Sequence, residues 1–225
     1  LVGNGGWAKE SGTAGDFQVT SGQAVVQHGA PSEDVKLPFS SVEGDLYVGF
    51  DFSVDDLGAP YSGSDNEYFA HLDFKAKMDI VPPSGSGDYS VGIASVSSSA
   101  DATWDSDLTF GTLYRAIIKF DQTTGTAQLW IDPATSSDAS ISGDAASAFS
   151  VGEFELRQSD SSENETVRVD DLMIGETFND VLTFVASTTP EISIGGITAN
   201  QEFSPQTTDV SVNVSVNNFT FSADD

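Results

Sequence analysis

The sequence predicts an all-β protein built as an antiparallel β-sandwich. Three observations lead to this fold class: apolar and polar residues alternate over several short segments, turn-forming residues separate those segments, and no stretch has the periodicity of an amphipathic helix. The alternation is clearest over residues 46–54, where every second side chain from Leu46 to Val54 is apolar. Such a strand buries one face and exposes the other, as the layers of a sandwich do.

The other strands follow in chain order. Residues 68–78 alternate in the same way and predict one continuous strand whose polar face carries His71 and Asp73. Residues 121–126 form a tight hairpin connection, and residues 82–88, rich in proline, glycine and serine, form a longer loop. Further strands are predicted at residues 89–96, 113–121, 127–132, 149–158 and 166–174.

The domain organisation follows from a change in composition near residues 187–190. We expect residues 1–186 to form one sandwich domain and residues 187–225 to form a linker with a short C-terminal β extension. Two alternating segments of this extension, at residues 192–197 and 210–216, are too short to close a sandwich alone. They are either the start of a further module or strands that pair with the main domain or a neighbouring chain.

The charge of the chain restricts its partners. It has 35 acidic residues against 8 basic ones, which gives a formal net charge of −27. Such a surface repels phosphate backbones and anionic lipid headgroups, so we expect no nucleic acid partner. No apolar run approaches the roughly 18 residues that a membrane-spanning helix needs. The absence of cysteine excludes disulfides and thiolate metal sites.

Three motifs resemble one protein family. The residues LYRAIIKFD at 113–121 and TGTAQLWIDP at 124–133 resemble the central hairpin of concanavalin A-like (laminin G-like) jelly-roll domains. Residues 167–175 are similar to the closing strand of these domains, and the opening Gly5-Gly6-Trp7 is similar to their start. The resemblance covers about residues 1–185 and implies an antiparallel jelly-roll sandwich from a secreted, modular bacterial protein.

The resemblance implies binding and carries no activity by itself, because a fold does not fix function. Domains of this kind serve adhesion, glycan binding or spacing. We therefore expect an extracellular or cell-surface protein whose partner is a polysaccharide or a cell-surface glycan. Residues 203–219 look like the first strands of the immunoglobulin-like repeat that often follows such a domain.

The predicted glycan-binding surface is the polar face of the sheet. If residues 68–78 and 113–121 neighbour one another, they place four basic residues on one exposed face, and aromatic side chains beside them can stack on sugar rings. The alternatives are that Trp130 is packed inside and that His71 is only a polar sheet residue. The candidate ligand-binding residues are His71, Asp73, Arg115, Lys119, Trp130 and Trp104.

Clustered carboxylates make Ca²⁺ the expected cofactor, if there is one. The resemblance implies a structural calcium near the join of the first and last strands, where Asp170 and Asp171 lie. The alternative is that Asp171 caps a bend or pairs with Arg168. A second candidate is the loop around Trp104, and none of the acidic clusters has EF-hand spacing. The carboxylates of that second candidate are Asp101, Asp105 and Asp107, and further acidic clusters occur at residues 55–56, 65–67 and 160–165.

Catalysis finds little support in the sequence. Glu153 and Glu155 lie two residues apart on one strand face, a spacing that suits glycoside hydrolysis. However, the Asp of the Glu-x-Asp-x-x-Glu pattern in glucanases of this fold is missing, and only three arginines are present for a lyase-like cationic cleft. We expect a non-catalytic binding or adhesion module and no enzyme. The alternatives are a structural subunit or spacer of a cell-surface layer or fibre, and a glycan-cleaving enzyme.

Overall fold

The computed structural model describes residues 1–3, 5–29, 31–159, 163–183, 191–195 and 213–217. The chain divides into two compact units, Leu1–Phe184 and Val185–Asp225. The boundary predicted between residues 186 and 187 lies outside the described residues. Over the described part of the chain, no helix has the length and apolar character needed to cross a membrane.

The first unit is a sandwich of two antiparallel sheets. Its strands are β1 Ala8–Ser11, β2 Gln18–Thr20, β3 Gln23–Gln27, β4 Asp34–Pro38, β5 Asp45–Val54, β6 Ala70–Leu72, β7 Lys75–Val81, β8 Ser90–Ala94, β9 Ala102–Thr103, β10 Tyr114–Asp121, β11 Thr126–Ile131, β12 Ile141–Ser142, β13 Glu153–Leu156 and β14 Thr166–Gly175. The first sheet has the order β1-β4-β13-β6-β7-β8-β9, and the second has the order β12-β11-β10-β5-β14-β3-β2. This arrangement confirms the predicted all-β, antiparallel jelly-roll sandwich.

The core lies between the two sheets and is rich in phenylalanine. On β5, Phe50 and Phe52 are fully buried, as their alternation with polar residues predicts. The ring of Phe50 lies 6.2 Å from that of Phe69 and 5.8 Å from that of Phe154, so it contacts the opposite sheet. Burying each such side chain contributes about 1.5–3 kcal/mol.

The segment 68–78, predicted as one strand, is a hairpin. β6 ends at Leu72 and β7 begins at Lys75, and Asp73 and Phe74 form the reversal with φ values of 46° and 59°. The side chain of Phe74 is therefore exposed at the hairpin tip instead of buried with the core residues. A register shift between β6 and β7 puts every second residue of β7 on the core side again. Apolar residues therefore keep the same alternation before and after the turn, and the periodicity of the sequence does not reveal the reversal.

A short 3₁₀ helix, Phe178–Asp180, covers the outer face of the second sheet. Phe178 and Val181 pack against Ile117 and Trp130, and the rings of Phe178 and Trp130 meet at 5.3 Å. An outward sheet face that carries apolar residues needs such a cover. The outer face of the first sheet carries charged side chains instead, and it holds the candidate site.

The second unit contains a hairpin of β15 Glu191–Gly195 and β16 Asn213–Asn217, which pair in antiparallel register. These strands overlap the predicted segments 192–197 and 210–216, whose remaining residues lie outside the described part. The immunoglobulin-like module and the pairing of this extension with neighbouring modules or chains stay predictions.

Candidate functional site

A row of charged side chains crosses the outer face of the first sheet. Lys36 on β4 is the cross-strand partner of Glu155 on β13, and Glu155 is the partner of His71 on β6. Lys77 on the next strand, β7, continues the row. Cross-strand partners project on the same side of a sheet, so these side chains lie together on the face opposite the core.

His71 is a buried, neutral imidazole in the middle of this row. The ring of Phe74 stacks on it with the centroids 5.0 Å apart. The backbone N–H of Phe74 donates to Nδ1 of His71 (3.1 Å), so the neutral ring carries its proton on Nε2. Burial, followed by the positive charges of Lys77 and Arg157, lowers the pKa of His71 to about 3.

Glu155 is the acid that faces this imidazole. Its Oε2 lies 3.5 Å from Nε2 of His71, and both side chains are 1% exposed. Burial raises the pKa of Glu155 to about 8; the negative charges of Glu153 and Glu10 raise it further, whereas Lys36 lowers it. Glu155 therefore holds a proton near neutral pH, which is the property that a general acid needs.

Tyr68 forms the aromatic part of the face. Its ring meets that of His71 edge-on at 5.1 Å, Lys77 Nζ lies 4.6 Å from the ring centroid, and Arg157 Cζ lies 4.7 Å from it. Arg157 in turn donates to Glu67 (2.9 Å). Burial raises the pKa of the Tyr68 hydroxyl. A half-buried tyrosine with two cations over its ring offers a sugar an aromatic contact and hydrogen-bond donors.

Lys36 neutralises the acidic end of the row. Its Nζ lies 2.5 Å from a carboxylate oxygen of Glu10 and 3.2 Å from one of Glu153. These bonds raise the pKa of Lys36 well above its ordinary value. Glu10, Glu153 and Glu155 are close enough to one another to hold a metal ion. The lysine ammonium already supplies the positive charge there, so this cluster does not fit a cation site.

The expectation that the candidate ligand-binding residues share one face is wrong. His71 and Asp73 belong to the first sheet, whereas Arg115 and Lys119 lie on β10 of the second sheet. The strands β6 and β10 are therefore not neighbours, because they belong to different layers of the sandwich. Asp73 accepts the backbone N–H of Gly152 (2.5 Å) at the hairpin tip.

The second-sheet candidates have structural partners. Arg115 donates to Asp51 (2.9 Å) and to the carbonyl oxygens of Asp171 and Val181 (both 2.8 Å), and Lys119 pairs with Asp45 (2.8 Å). These bonds connect β10 to β5, to β14 and to the segment after the 3₁₀ helix.

The two tryptophan candidates differ in exposure. Trp130 is 2% exposed and packs against Phe178, so the alternative that it is packed inside is confirmed. Trp104 is half-buried and packs against the core. Within the described residues, no ring contact links either tryptophan to the row of charged side chains.

The proposed calcium ligands Asp170 and Asp171 lie at a bulge in β14, where Asp171 has a φ of 50°. Asp170 accepts the backbone N–H of Asp171 (2.9 Å), and burial raises the pKa of Asp171. Arg168 does not pair with Asp171, because it makes two hydrogen bonds to Asp55 at 2.7 and 2.8 Å. Calcium binding at Asp170 and Asp171 stays a prediction.

The second acidic group organises loops. Asp101 accepts the backbone N–H groups of Ser95 (2.8 Å) and Asp144 (3.0 Å). Asp107 accepts three backbone N–H groups at 2.8–2.9 Å, which lowers its pKa. Asp105 is exposed. Within the described residues these three carboxylates do not form one compact ligand group, and calcium here also stays a prediction.

Sequence reasoning missed the contribution of Tyr68, Lys36 and Arg157 to the candidate site. Each comes from a different strand or strand end, and pairing across β4, β13 and β6 brings them together. The one signal in the sequence was the spacing of Glu153 and Glu155, which gave no indication of the partners that surround them.

Comparison with known proteins supports the fold. No protein-family model matches the sequence, and no curated protein matches it either. Among solved structures, alginate lyase Aly36B in complex with alginate tetrasaccharide has a TM-score of 0.53 at 11% identity and covers 76% of this chain and 87% of its own. A second structure of that lyase, with alginate trisaccharide, has a TM-score of 0.51 at 10% identity, with coverages of 76% and 88%. A Lotus tetragonolobus seed lectin has a TM-score of 0.47 at 14% identity, with coverages of 77% and 94%.

The expectation of no enzyme is corrected by this comparison. At such low identities the likeness shows the β-sandwich fold and not an activity. However, both structures of the alginate lyase have TM-scores above 0.5. The fold therefore gives no ground for excluding polysaccharide cleavage. The missing Glu-x-Asp-x-x-Glu pattern argues only against cleavage by the glucanase mechanism.

Proposed function

We propose that the chain binds a polysaccharide along the outer face of the first sheet. The contact surface is formed by Lys36, Tyr68, Lys77, Glu153 and Arg157, which we call the charged patch. A polymer chain needs an extended surface with an aromatic plane and several hydrogen-bonding groups, and a sheet face supplies both. The observation that carries the proposal is the grouping of Tyr68 with Lys77 and Arg157, whose charged groups lie over the tyrosine ring at 4.6 and 4.7 Å from its centroid.

The distribution of positive charge supports this location. Three of the eight basic residues of the chain, Lys36, Lys77 and Arg157, lie on this face. In a chain with a net charge of −27, this concentration gives the face a local potential unlike that of the remaining surface. Sugars with hydroxyl and carboxylate groups find hydrogen-bond donors there.

Cleavage of the bound polymer is a second candidate function, and the buried pair of His71 and Glu155 favours it. A carboxyl group that stays protonated near neutral pH can protonate a leaving oxygen, and the raised pKa of Glu155 meets that need. Glu155 is 1% exposed, so cleavage requires the side chains around it to move when a glycan binds. Tyr68 adjoins the pair, with its ring centroid 5.1 Å from that of His71.

The binding proposal is tested by affinity electrophoresis with neutral glucan and xylan and with polyuronates such as alginate and pectate. We expect Tyr68→Ala to weaken binding about tenfold, because one lost aromatic contact is worth about 1–1.5 kcal/mol. The matched control is Tyr47→Ala, since Tyr47 also stands beside a lysine, Lys119 at 5.9 Å, but on the outer face of the second sheet. Equal losses for both variants, or retardation by none of the polymers, would contradict the proposal.

The cleavage proposal is tested with the same polymers. A lyase produces an unsaturated uronate that absorbs in the ultraviolet, whereas a hydrolase produces only reducing ends. We expect Glu155→Gln to abolish product formation while leaving binding within about twofold. Product formation that survives in this variant would remove Glu155 from the reaction without affecting the binding proposal.

We propose the cell exterior as the place of this function, in keeping with the resemblance of the sequence to secreted modular domains. Fractionation of cells that express the full-length protein, followed by detection with an antibody, tests this proposal. Recovery only from the cytosolic fraction would contradict it.

A further inference from the structure

A second cluster of titratable side chains lies at one flank of the sandwich, where Glu67, the ion-pair partner of Arg157, lines the same pocket as Glu163. His28 directly follows β3, and Glu163 and Glu165 directly precede β14, with which β3 pairs. The backbone N–H of His28 donates to the carbonyl oxygen of Glu165 (3.0 Å), which fixes the two chain segments in register. One ligand atom from each of the three side chains lies within 4.8 Å of the other two. We call these residues the flank cluster.

The interior of the flank cluster holds polar atoms that no described residue satisfies with a hydrogen bond. The side chains of His28 and Glu165 are 1% and 0% exposed. Among the residues that the structure describes, neither carboxylate oxygen of Glu165 and neither ring nitrogen of His28 has a hydrogen-bond partner. Nδ1 of His28 and Oε1 of Glu165 approach to 2.6 Å, yet not with the geometry of a hydrogen bond. Burial of a carboxylate without hydrogen bonds is strongly unfavourable, which points to a missing cation.

A further buried carboxyl group lies at this flank, and burial, followed by the charges of Glu163 and Glu165, raises its pKa to about 8. Asp79 accepts the backbone N–H of Glu67 with one oxygen (3.2 Å), while its other oxygen, Oδ1, is buried and has no hydrogen-bond partner in the described part of the chain. Within the described residues, the ion pairs give Glu165 no lysine or arginine partner. The flank cluster thus differs from Glu10 and Glu153, where Lys36 supplies the positive charge.

The surroundings orient the outermost ligand. The hydroxyl of Tyr61 donates to Oε2 of Glu163 (2.7 Å), and the backbone N–H of Ser64 donates to Oε1 (2.6 Å). Such bonds hold a ligating carboxylate in place. Glu163, Tyr61 and Ser64 also line an open pocket of about 710 Å³, which gives an ion a route from solvent.

We propose that His28, Glu163 and Glu165 bind one divalent transition-metal ion, of the Zn²⁺ or Mn²⁺ type. An imidazole nitrogen together with carboxylate oxygens suits these ions, whereas Ca²⁺ and Mg²⁺ prefer oxygen ligands alone. The ion neutralises the buried carboxylates and ties the end of β3 to the start of β14. This site is separate from the calcium sites expected from the sequence at Asp170 and at Asp101.

The test uses the full-length protein stripped of metal with a chelator and dialysed. Zn²⁺, Mn²⁺, Ca²⁺ and Mg²⁺ are then added separately, and the bound metal and the melting temperature are measured. We expect one Zn²⁺ or Mn²⁺ per chain and a rise in melting temperature of about 5–10 °C at a hundredfold excess over Kd. The proposal is overturned if neither ion binds stoichiometrically, or if Ca²⁺ or Mg²⁺ gives the larger rise.

Two variants locate the ion. Glu165→Gln keeps the shape of the side chain but removes its charge, and we expect it to lose the stoichiometric metal and the rise in melting temperature. Glu163→Gln at the pocket wall, expected to weaken metal binding at least tenfold, serves the same purpose if the first variant does not fold. The matched control is Glu10→Gln in the Lys36 cluster, which we expect to retain full metal binding. Unchanged metal binding in either flank variant that folds would overturn the assignment.

Discussion

Glu155 and His71 face each other 3.5 Å apart as two buried groups that are both uncharged near neutral pH. Their pKa values are displaced in opposite directions, to about 8 for the acid and about 3 for the imidazole. Burial is the largest cause in both cases, since it disfavours the charged form of either group. Each group therefore makes stability depend on pH, with opposite sign.

The first prediction concerns this pH dependence. The folded pKa of Glu155 is raised, so its contribution to stability is complete below its unfolded pKa and is lost as the pH rises through about 8. His71 contributes in the opposite sense, with stability gained as the pH rises from about 3 to its unfolded pKa. Above the unfolded pKa of His71, at about 6.5, Glu155 is therefore the member of the pair that still titrates.

The measurement is urea denaturation between pH 6.5 and 8. Relative to Glu155→Gln, the parent protein is expected to lose about 2 kcal/mol of unfolding free energy over this interval. The groups whose charges act on Glu155 are Glu153, Glu10, Asp73 and Lys36, and all are retained in the variant. The control is Glu43→Gln, at an exposed glutamate, which is expected to follow the parent. A constant difference between the parent and Glu155→Gln would mean that Glu155 does not take up a proton.

The second prediction compares two cations on β10. Arg115 holds the segment after the 3₁₀ helix through Val181 and also bonds to Asp51, so Arg115→Gln is expected to lower the unfolding free energy by about 2–4 kcal/mol. Lys119→Gln removes an ion pair with the partly exposed Asp45 and is expected to cost at most about 1 kcal/mol. Equilibrium denaturation of both variants checks the ranking, and equal costs would show that Arg115 does not anchor the segment.

The third prediction compares two glycines with left-handed backbones. Gly125 has a φ of +64°, and an added Cβ would lie 2.3 Å from the carbonyl oxygen of Ser147. Gly111 has a φ of +68°, and an added Cβ would meet nothing within 4 Å. Gly111→Ala should therefore cost only about 1 kcal/mol of backbone strain. Gly125→Ala should cost at least about 1 kcal/mol more, because the clash is added. Denaturation curves that coincide for the two variants would exclude the clash.

The fourth prediction concerns the charge balance around Lys36. Lys36→Gln leaves Glu10 and Glu153 without their shared cation and should lower the unfolding free energy by about 1 kcal/mol. The double variant Lys36→Gln/Glu153→Gln should recover part of this loss, because one of the two repelling charges is also gone. A double-mutant cycle measured in low salt tests the coupling. Additive losses would indicate that Lys36 and Glu153 act independently.

The alternation of apolar and polar residues predicted most of the strands in the two sheets. The alternation over residues 46–54 corresponds to β5 Asp45–Val54, and residues 113–121 correspond to β10 Tyr114–Asp121, because both strands bury one face against the core. The hairpin within residues 68–78 was missed because the two left-handed residues at its tip, Asp73 and Phe74, are not the glycines or asparagines that usually signal a reversal.

The candidate site was less accessible from the sequence. Glu153 and Glu155 were recognised as a pair with catalytic spacing, but the residues that alter their chemistry arrive from other strands. His71 reaches Glu155 only through the pairing of β6 with β13, and His28 reaches Glu165 only through the pairing of β3 with β14. Burial, which shifts the pKa of Glu155, is likewise a property of the assembled sheets.

The 3₁₀ helix that follows β14 has a practical consequence for shortening the chain. Ending the protein at Gly175, where the last strand of the sandwich stops, would leave Trp130 and Ile117 facing water without Phe178 and Val181. We expect such a fragment to form both sheets but to expose an apolar patch on the second one, and to self-associate through that patch. The smallest well-behaved form of the sandwich therefore extends at least through Leu182, which also packs against this cluster.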